Sequence, residues 1–298
     1  MPWLARSHAV TLVPSSSALQ TLRKLPPGKS SRQELIAFGD PYFNQEQANE
    51  AASQDTVKVA DAGGSNVTRG LPLKRRNSPQ LDKADSAQLG MLPRLPDTSA
   101  ELKSIAAALQ SDPSKVLNLG KDANEQKVKS MDLSGFKVIA FATHGLIPGE
   151  LDGLTQPALA LSAPGLSDTD GDGLLTMEEI LTLKLDADWV VLSACNTGAG
   201  AGAEAASGLG RAFFYAGTRA LLVTNWSVHS QSARELVTDL FKRQADDPKI
   251  TRGEALRQAM MALADGPGYV GTGGKTEFAY AHPLFWAPYS IIGDGGGR

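Results

Sequence analysis

A histidine and a cysteine, two residue types that can act together in nucleophilic catalysis, each follow directly on a short apolar run. The run Lys137–Thr143 (KVIAFAT) leads into His144 and Gly145, and the run Trp189–Ala194 (WVVLSA) leads into Cys195. Continuous apolar runs of this length are typical of buried parallel strands, whose carboxyl ends open on one edge of the sheet. The imidazole and the thiol are therefore predicted to face one cleft, where the imidazole promotes the thiolate or protonates a leaving amine.

Backbone N–H groups beside these two side chains are a second feature that nucleophilic catalysis could use. The N–H groups of Gly145 and Cys195 are candidate donors to a developing oxyanion. Taken alone, a cysteine or a histidine at a strand end is more often a packing residue than a catalytic one. The pair is more informative than either residue, because 195 − 144 gives a separation of 51 residues.

Further strands and helices must position this pair. Apolar runs alternate with amphipathic segments, which indicates an α/β fold, a three-layer α/β/α sandwich with a mainly parallel sheet. Besides the two runs above, strands are predicted at residues 35–39, 116–119, 219–225 and 289–292. Helices are predicted at 98–109 (capped by Asp97 or Thr98), 124–131, 176–183, 207–216, 230–244 and 252–264.

Composition limits the class of protein. The chain of 298 residues has 42% hydrophobic and 20% charged residues and a formal net charge of −3, which is a globular composition. The charge balance argues against a nucleic-acid or membrane-surface protein, and no apolar run reaches the length of a spanning helix. One cysteine and no secretory signal are typical of a cytoplasmic protein. We expect one domain over residues 1–298, with a long loop or insertion at about 53–96 that is rich in Ser, Gly, Asn and charge.

An ordered series of short motifs resembles the CHAT family, caspase-like domains commonly associated with tetratricopeptide repeats. The motifs begin with FGDP at 38–41 and ATHG at 142–145, continue with GLLT at 173–176 and LSACNTG at 192–198, and end with NWSV at 225–228 and HPLFWA at 282–287. The 51-residue separation also lies near the roughly 50 residues between His and Cys in caspases. The caspase pattern Q-A-C-x-G is matched only in part, because Ser193 stands in place of the glutamine.

The resemblance implies a caspase–hemoglobinase-like fold and a cysteine endopeptidase. Its catalytic dyad would be His144 and Cys195, with oxyanion donors at the backbone of Gly145 and Cys195. The substrate would be a protein or peptide, and no cofactor would be required for the chemistry. Regulation would come from a partner or a repeat domain that this chain does not contain.

Four further residues are candidate substrate-binding residues. Asn225, Trp226 and Ser227 occupy the segment that, by resemblance to caspases, lies beside the substrate backbone; for Trp226, core packing is an equal alternative. Asp40 ends the first strand and is a candidate for the pocket of the residue before the scissile bond, which would then favour Lys or Arg. A turn-forming Asp before Pro41 explains Asp40 equally well.

Residues 168–179 (DTDGDGLLTMEE) match the twelve-position calcium-loop pattern. Asp168, Asp170, Asp172 and Glu179 would supply oxygen ligands to Ca²⁺, and Gly173 the sharp turn. An entering helix is missing from the pattern, and Thr176 with Glu179 also forms a capping box. Calcium binding and an acidic surface loop are thus both open interpretations.

Two other functions fit parts of the sequence. A catalytically silent interaction module of the same fold would keep these motifs without activity. A dinucleotide-binding enzyme would use the run GAGAGA at 198–203, but the run does not follow its strand directly, and the next strand ends in Asn225 instead of an acidic residue. Alkylation of Cys195 by an electrophilic peptide distinguishes these alternatives.

Overall fold

The computed structural model describes residues 3–56, 86–166, 170–193, 204–226, 228–271 and 274–296. The strands are β1 Gln33–Gly39, β2 Leu117–Leu119, β3 Phe136–Ala142, β4 Gly145–Leu146, β5 Ala158–Ala160, β6 Leu174–Thr176, β7 Trp189–Leu192, β8 Ala220–Thr224, β9 Tyr269–Val270, β10 Thr276–Phe278 and β11 Tyr289–Gly293. The α-helices are α1 Ser16–Lys24, α2 Gln45–Thr56, α3 Ser86–Leu89, α4 Asp97–Ala108, α5 Pro113–Val116, α6 Glu125–Ser130, α7 Met177–Thr182, α8 Glu204–Ala216, α9 Ser230–Asp246, α10 Arg252–Asp265 and α11 Pro283–Trp286. Short 3-10 helices lie at Leu4–Arg6, Gly120–Asp122, Leu133–Gly135 and Pro164–Leu166.

A six-stranded sheet in the order β11-β8-β7-β3-β1-β2 forms the centre of the fold. The pairs from β8 to β2 are parallel, and β11 at the edge runs antiparallel to β8. The predicted mainly parallel sheet is confirmed. Parallel strands need crossover connections, which here are helices, so both faces of the sheet are covered.

Successive side chains of each strand point to opposite faces of the sheet, so each face buries every second residue. Leu35, Val138 and Leu222 point to the layer of α4, α9 and α10. Ile36, Ile139 and Val223 point to the layer of α7 and α8 on the opposite face. The predicted α/β/α sandwich is thus observed. Its physical reason is that a strand with an almost continuous apolar sequence is apolar on both faces, and helices must cover both.

A small antiparallel sheet, β4-β5-β6, lies beside the main sheet and continues directly from β3. A third apolar cluster packs against it and includes Phe43, Leu89, Leu92 and Leu146. The cluster therefore joins the segment 86–96 to the hairpin that follows β3.

The segment predicted as a long loop at 53–96 is more ordered at its ends than the sequence indicated. Helix α2 extends to Thr56, α3 begins at Ser86, and Leu89, Leu92 and Leu95 are buried. Residues 57–85 lie outside the described residues. The predicted cap of α4 is also different: the helix begins at Asp97 after Pro96, without a side-chain cap.

Candidate active site

The structure places His144 just beyond the carboxyl end of β3, between the central sheet and the hairpin β4-β5. The residue is 6% exposed, and its ring lies 5.6 Å from the ring of Phe43. Its backbone oxygen accepts a hydrogen bond of 2.9 Å from the Ala160 N–H. The Nε2 atom lies 2.8 Å from the Pro93 backbone oxygen. Because a carbonyl oxygen only accepts, Nε2 carries the proton in this contact, and in the neutral ring Nδ1 is the basic nitrogen.

Strand β7, which precedes the predicted nucleophile, is the direct neighbour of β3. Phe141 is in register with Leu192, and the Ser193 N–H donates to the Phe141 oxygen at 2.9 Å. Cys195 itself lies outside the described residues. Along the chain, His144 is three residues after Phe141, and Cys195 is three residues after Leu192. The register thus brings together the two strand ends that lead into the residues of the predicted dyad.

Gly145, the predicted oxyanion donor, is the first residue of β4 and is paired with Leu159 of β5. The Ala160 N–H donates to the His144 oxygen, so His144 and Ala160 form a hydrogen-bonded pair. In an antiparallel ladder, hydrogen-bonded pairs alternate with pairs that do not exchange hydrogen bonds. Gly145 and Leu159 are therefore a pair of the second kind, and the Gly145 N–H is directed away from β5. The Gly145 N–H is therefore not used in the pairing with β5, and its role as an oxyanion donor stays a prediction.

Asp40 follows β1, the other neighbour of β3, and its carboxylate is paired with the guanidinium group of Arg94. Arg94 Nε lies 2.9 Å from Asp40 Oδ1, and Arg94 Nη2 lies 2.7 Å from Asp40 Oδ2. The guanidinium also lies over the Tyr42 ring, 5.0 Å from its centroid. Burial raises the pKa of the Asp40 carboxyl, and the hydrogen bonds and charge of Arg94 act in the opposite direction.

Asp40 also has an unusual backbone conformation. Its φ of 48° lies in the left-handed region, which Asp adopts more readily than most residues. Its N–H donates to the Thr98 hydroxyl at 2.8 Å. This conformation agrees with the interpretation of Asp40 as a turn residue, and its role in a substrate pocket stays a prediction.

Arg94 and Pro93 are site residues that sequence reasoning missed. Arg94 is separated from Asp40 by 54 residues, and Pro93 from His144 by 51. Neither lies in a motif, and both fall within the segment that was predicted as a loop.

The segment after β8 begins at the same edge of the sheet. Asn225 Nδ2 donates to the Pro288 oxygen at 2.9 Å and to Ser290 Oγ at 2.8 Å, which ties the end of β8 to β11. Trp226 is 36% exposed, and its Nε1 donates to the Leu284 oxygen at 3.1 Å. Ser227 lies outside the described residues. Its role and those of Asn225 and Trp226 in substrate binding stay predictions.

The described part of the predicted calcium loop is held by protein side chains. Glu125 Oε2 accepts from the N–H groups of Asp172 and Gly173, each at 3.1 Å. Lys129 Nζ lies 2.9 Å from Glu125 Oε1 and 2.8 Å from Glu179 Oε1. An ammonium group thus lies between two of the local carboxylates.

Other contacts of this loop support its capping interpretation. Glu179 Oε2 accepts from the Thr176 N–H at 2.9 Å, which completes the capping box of α7. Asp172 accepts from the Leu174 N–H, and the Asp170 N–H donates to Gln126. Asp168 lies outside the described residues. Among the residues that the structure describes, no group of three or more His, Cys, Asp or Glu is arranged to hold a metal ion.

Two further features of the sequence bear on function. His229 lies among aromatic rings, 5.4 Å from the Tyr269 ring and 5.5 Å from the Phe278 ring, and its Nδ1 caps α9. The glycine run at 198–203 lies outside the described residues.

Among the helices that the structure does describe, none has both the length and the apolar character that a bilayer crossing requires.

Comparison with known proteins gives one family match. A family model, the CHAT domain, matches residues 2–294. No curated protein matches the chain.

Solved structures also resemble the fold at low sequence identity. The Saccharomyces cerevisiae separase in its complex with securin is 12% identical, with a TM-score of 0.46, over 97% of this chain and 14% of that one. The Arg-specific cysteine proteinase gingipain R (RgpB) is 11% identical, with a TM-score of 0.41, over 66% of this chain and 41% of that one. The chain therefore spans well under half the length of both structures.

Proposed function

The chain belongs to the CHAT-domain family, and on that premise we propose that it is a cysteine endopeptidase with a dyad of His144 and Cys195. One observation carries the proposal: Phe141 and Leu192 are in register on adjacent parallel strands. His144 and Cys195 each follow three residues later. Strands of a sheet lie about 4.8 Å apart, so the strand ends that lead into His144 and Cys195 are neighbours at one edge of the sheet.

The proposed reaction follows from the groups present. The Cys195 thiolate attacks the scissile carbonyl carbon, so that a C–S bond forms and the carbonyl becomes an oxyanion. The N–H groups of Gly145 and Cys195 stabilise that oxyanion. The protonated His144 imidazole then gives its proton to the leaving amine as the C–N bond breaks, and water hydrolyses the thioester.

The contact between His144 Nε2 and the Pro93 oxygen supports this assignment of roles. With Nε2–H held by a carbonyl, Nδ1 is the nitrogen that exchanges a proton with the thiol or the amine. An oriented imidazole of defined tautomer is what general acid–base catalysis requires. The Pro93 backbone is therefore a positioning group for His144.

Partners and location belong to the same proposal. The substrate is a protein or a peptide, and a regulatory partner or repeat domain outside this chain controls access to it. The protein acts in the cytoplasm, where its single cysteine stays reduced. Neither nucleic acid nor a membrane is among the proposed partners.

Alkylation of Cys195 tests the proposal directly, because it is the chain's single cysteine. An unassisted thiol reacts slowly below its pKa of about 8.5. We expect iodoacetamide to modify the wild-type protein at pH 6.5 at least about tenfold faster than His144→Ala, because the imidazole promotes the thiolate. His8→Ala, which removes an exposed histidine, is the matched control and should react like wild type.

Peptide cleavage supplies the second measurement. Cys195→Ala and His144→Ala should each reduce cleavage of a peptide library by several orders of magnitude, because the dyad acts as a unit. Equal alkylation rates in wild type and His144→Ala, together with no cleavage by wild type, would instead favour the silent interaction module.

A further inference from the structure

The segment before α4 contacts two parts of the candidate active site at once. The Pro93 oxygen accepts from His144, and the next residue, Arg94, pairs with Asp40. We infer that the Asp40 carboxylate is a binding site for a guanidinium group, and that Arg94 is its built-in occupant, which a substrate arginine must displace. The inference rests on the proposed function, because it names the substrate class and the regulation of the same site.

The geometry at Asp40 is that of guanidinium recognition. Two parallel N–H···O contacts, of 2.9 and 2.7 Å, join the planar group to both carboxylate oxygens. Such bidentate pairs are specific for Arg over Lys, since an ammonium acts as a point charge. The Tyr42 ring provides an aromatic face for the same cation. Both side chains are largely buried, with 15% of Arg94 and 6% of Asp40 exposed.

Arg94 and a substrate guanidinium would compete for the same atoms. The two carboxylate oxygens are both used by Arg94, and a second cation beside it would be repelled. Since the preceding carbonyl contacts His144, the occupied pocket lies next to the imidazole that would serve the scissile bond. Binding of an arginine side chain at Asp40 therefore requires that Arg94 leaves.

The side chain of Arg94 is the part that can move, because its backbone is anchored on both sides. Leu92 and Leu95 are buried, and Gln47 Nε2 donates to the Leu92 oxygen at 2.8 Å. A rotation of the Arg94 side chain opens the pocket and leaves the contact between Pro93 and His144 in place. The occupant is thus a competitor within a folded site, and the site need not unfold to admit a substrate.

The competition has a measurable cost for substrate binding. Apparent affinity falls in proportion to the fraction of molecules whose pocket is free. If Arg94 occupies the pocket in more than about nine molecules of ten, its removal lowers the apparent dissociation constant for an arginine ligand by about tenfold or more.

A binding experiment tests the inference without any catalysis. L-arginine amide is titrated into Cys195→Ala and into the double variant Cys195→Ala/Arg94→Ala by calorimetry, with L-citrulline amide as the uncharged ligand of the same shape. We expect the double variant to bind arginine amide about tenfold more tightly or better, and to bind citrulline amide far more weakly. Equal affinity for arginine amide in the two proteins would overturn the inference, as would equal affinity of the double variant for the two ligands.

Two additional variants guard against trivial outcomes. Arg257→Ala removes another bidentate pair, with Glu254 on α10, and should leave arginine-amide binding at the level of Cys195→Ala. Arg94→Gln keeps a neutral donor beside Asp40 and replaces Arg94→Ala if the latter does not fold. The same tightening is expected for it, and its absence would count equally against the inference.

Kinetics with the native cysteine separate this inference from the proposed function. For a peptide with one arginine, Arg94→Ala should lower KM about tenfold relative to wild type, with a smaller change in kcat. If no variant cleaves peptides or is alkylated rapidly, the peptidase proposal fails, while the calorimetry still decides the role of Arg94. If wild type cleaves arginyl peptides and Arg94→Ala has the same or a higher KM, Arg94 is only a structural ion-pair partner.

Discussion

The Thr98 hydroxyl links the end of β1 to the start of α4. It accepts from the Asp40 N–H at 2.8 Å and donates to the Leu95 oxygen at 2.7 Å, and the residue is fully buried. Its removal leaves the buried Asp40 N–H without this partner, which costs free energy, whereas the Leu95 oxygen still accepts from the Thr98 N–H at 3.0 Å. At the scale of one residue, this hydroxyl therefore stabilises the loop that carries Asp40.

We expect Thr98→Val to lower the free energy of unfolding by about 1–3 kcal/mol, since the replacement has the same shape but cannot hydrogen-bond. Urea denaturation measures the change. Thr182→Val, at an exposed position whose hydroxyl donates to the Glu179 oxygen, should change stability by less than about 0.5 kcal/mol. A loss at Thr98 as small as the loss at Thr182 would show that the buried hydroxyl contributes nothing.

At the same scale, the sequence predicts some site residues and not others. His144 and Asp40 were identifiable because each directly follows a strand with a clear apolar pattern. Arg94 and Pro93 were not, because a contact between residues 54 or 51 positions apart leaves no local signal. An arginine in a segment that is predicted as a loop has the same local sequence whether it is solvated or paired with a buried carboxylate.

At the scale of elements, the predicted strands in the centre of the sheet agree closely with the structure. The run Lys137–Thr143 corresponds to β3, Phe136–Ala142, because a buried parallel strand must be apolar on both faces. Helix α2 and the strands β4 and β6 were missed. The sequence of α2, QEQANEAASQDT, has no apolar stripe, and strands of two or three residues are too short for a period.

One lysine, Lys129, contacts carboxylates in and beside the predicted calcium loop. Burial raises the pKa of Glu125, and hydrogen bonds from Lys129 oppose that effect. For Glu179, burial also acts to raise the pKa, but the hydrogen bonds from Lys129 and Thr176 outweigh it and the pKa is lowered. The ammonium group of Lys129 thus neutralises two carboxylates, Glu179 in the predicted calcium loop and Glu125 beside it.

We therefore expect Lys129→Met to bind Ca²⁺ more tightly than wild type, because the substitution removes the cation that neutralises Glu125 and Glu179. Calorimetric titration with CaCl₂ measures the difference. Lys127→Met, which removes the half-exposed partner of Asp122, is the matched control and should resemble wild type. If wild type already binds Ca²⁺ as tightly as Lys129→Met, the lysine does not compete with the ion.

The ion pair within α10 predicts a pH dependence. Hydrogen bonds from Arg257 are the main cause that lowers the pKa of Glu254 to about 2. A carboxyl group with a lowered pKa in the folded state stabilises the fold above its unfolded pKa of about 4.3, and that stabilisation is lost as the pH falls toward 2.

Glu254→Gln should therefore unfold more easily than wild type at pH 7, and the difference should shrink between pH 4.5 and pH 2. Thermal unfolding at a series of pH values measures this difference. A difference that is independent of pH would mean that the carboxylate charge contributes nothing and that the substitution acts through packing.

At the scale of the whole molecule, the sheet separates two cores, and each contains a fully buried phenylalanine, one near the carboxyl ends of the strands and one near their amino ends. Phe141 lies on one face near the carboxyl end of β3, stacked on Phe38 at 5.4 Å and 5.8 Å from Phe213. Phe241 of α9 lies on the other face, 5.8 Å from Trp189 at the amino end of β7. Both phenylalanines are fully buried, so their truncation creates comparable cavities.

Phe141→Ala and Phe241→Ala should each cost about 3–5 kcal/mol of stability, but their effects on the site should differ. Phe141 is in register with Leu192, and these two residues precede His144 and Cys195 by three positions each. A shift of the backbone there changes the geometry between imidazole and thiol, to which the reaction is sensitive. At a temperature where both variants are folded by circular dichroism, Phe141→Ala should therefore lose most of the fast alkylation of Cys195 at pH 6.5, and Phe241→Ala should keep it. Equal loss in both variants would mean that the site depends on global stability and not on the register of β3 and β7.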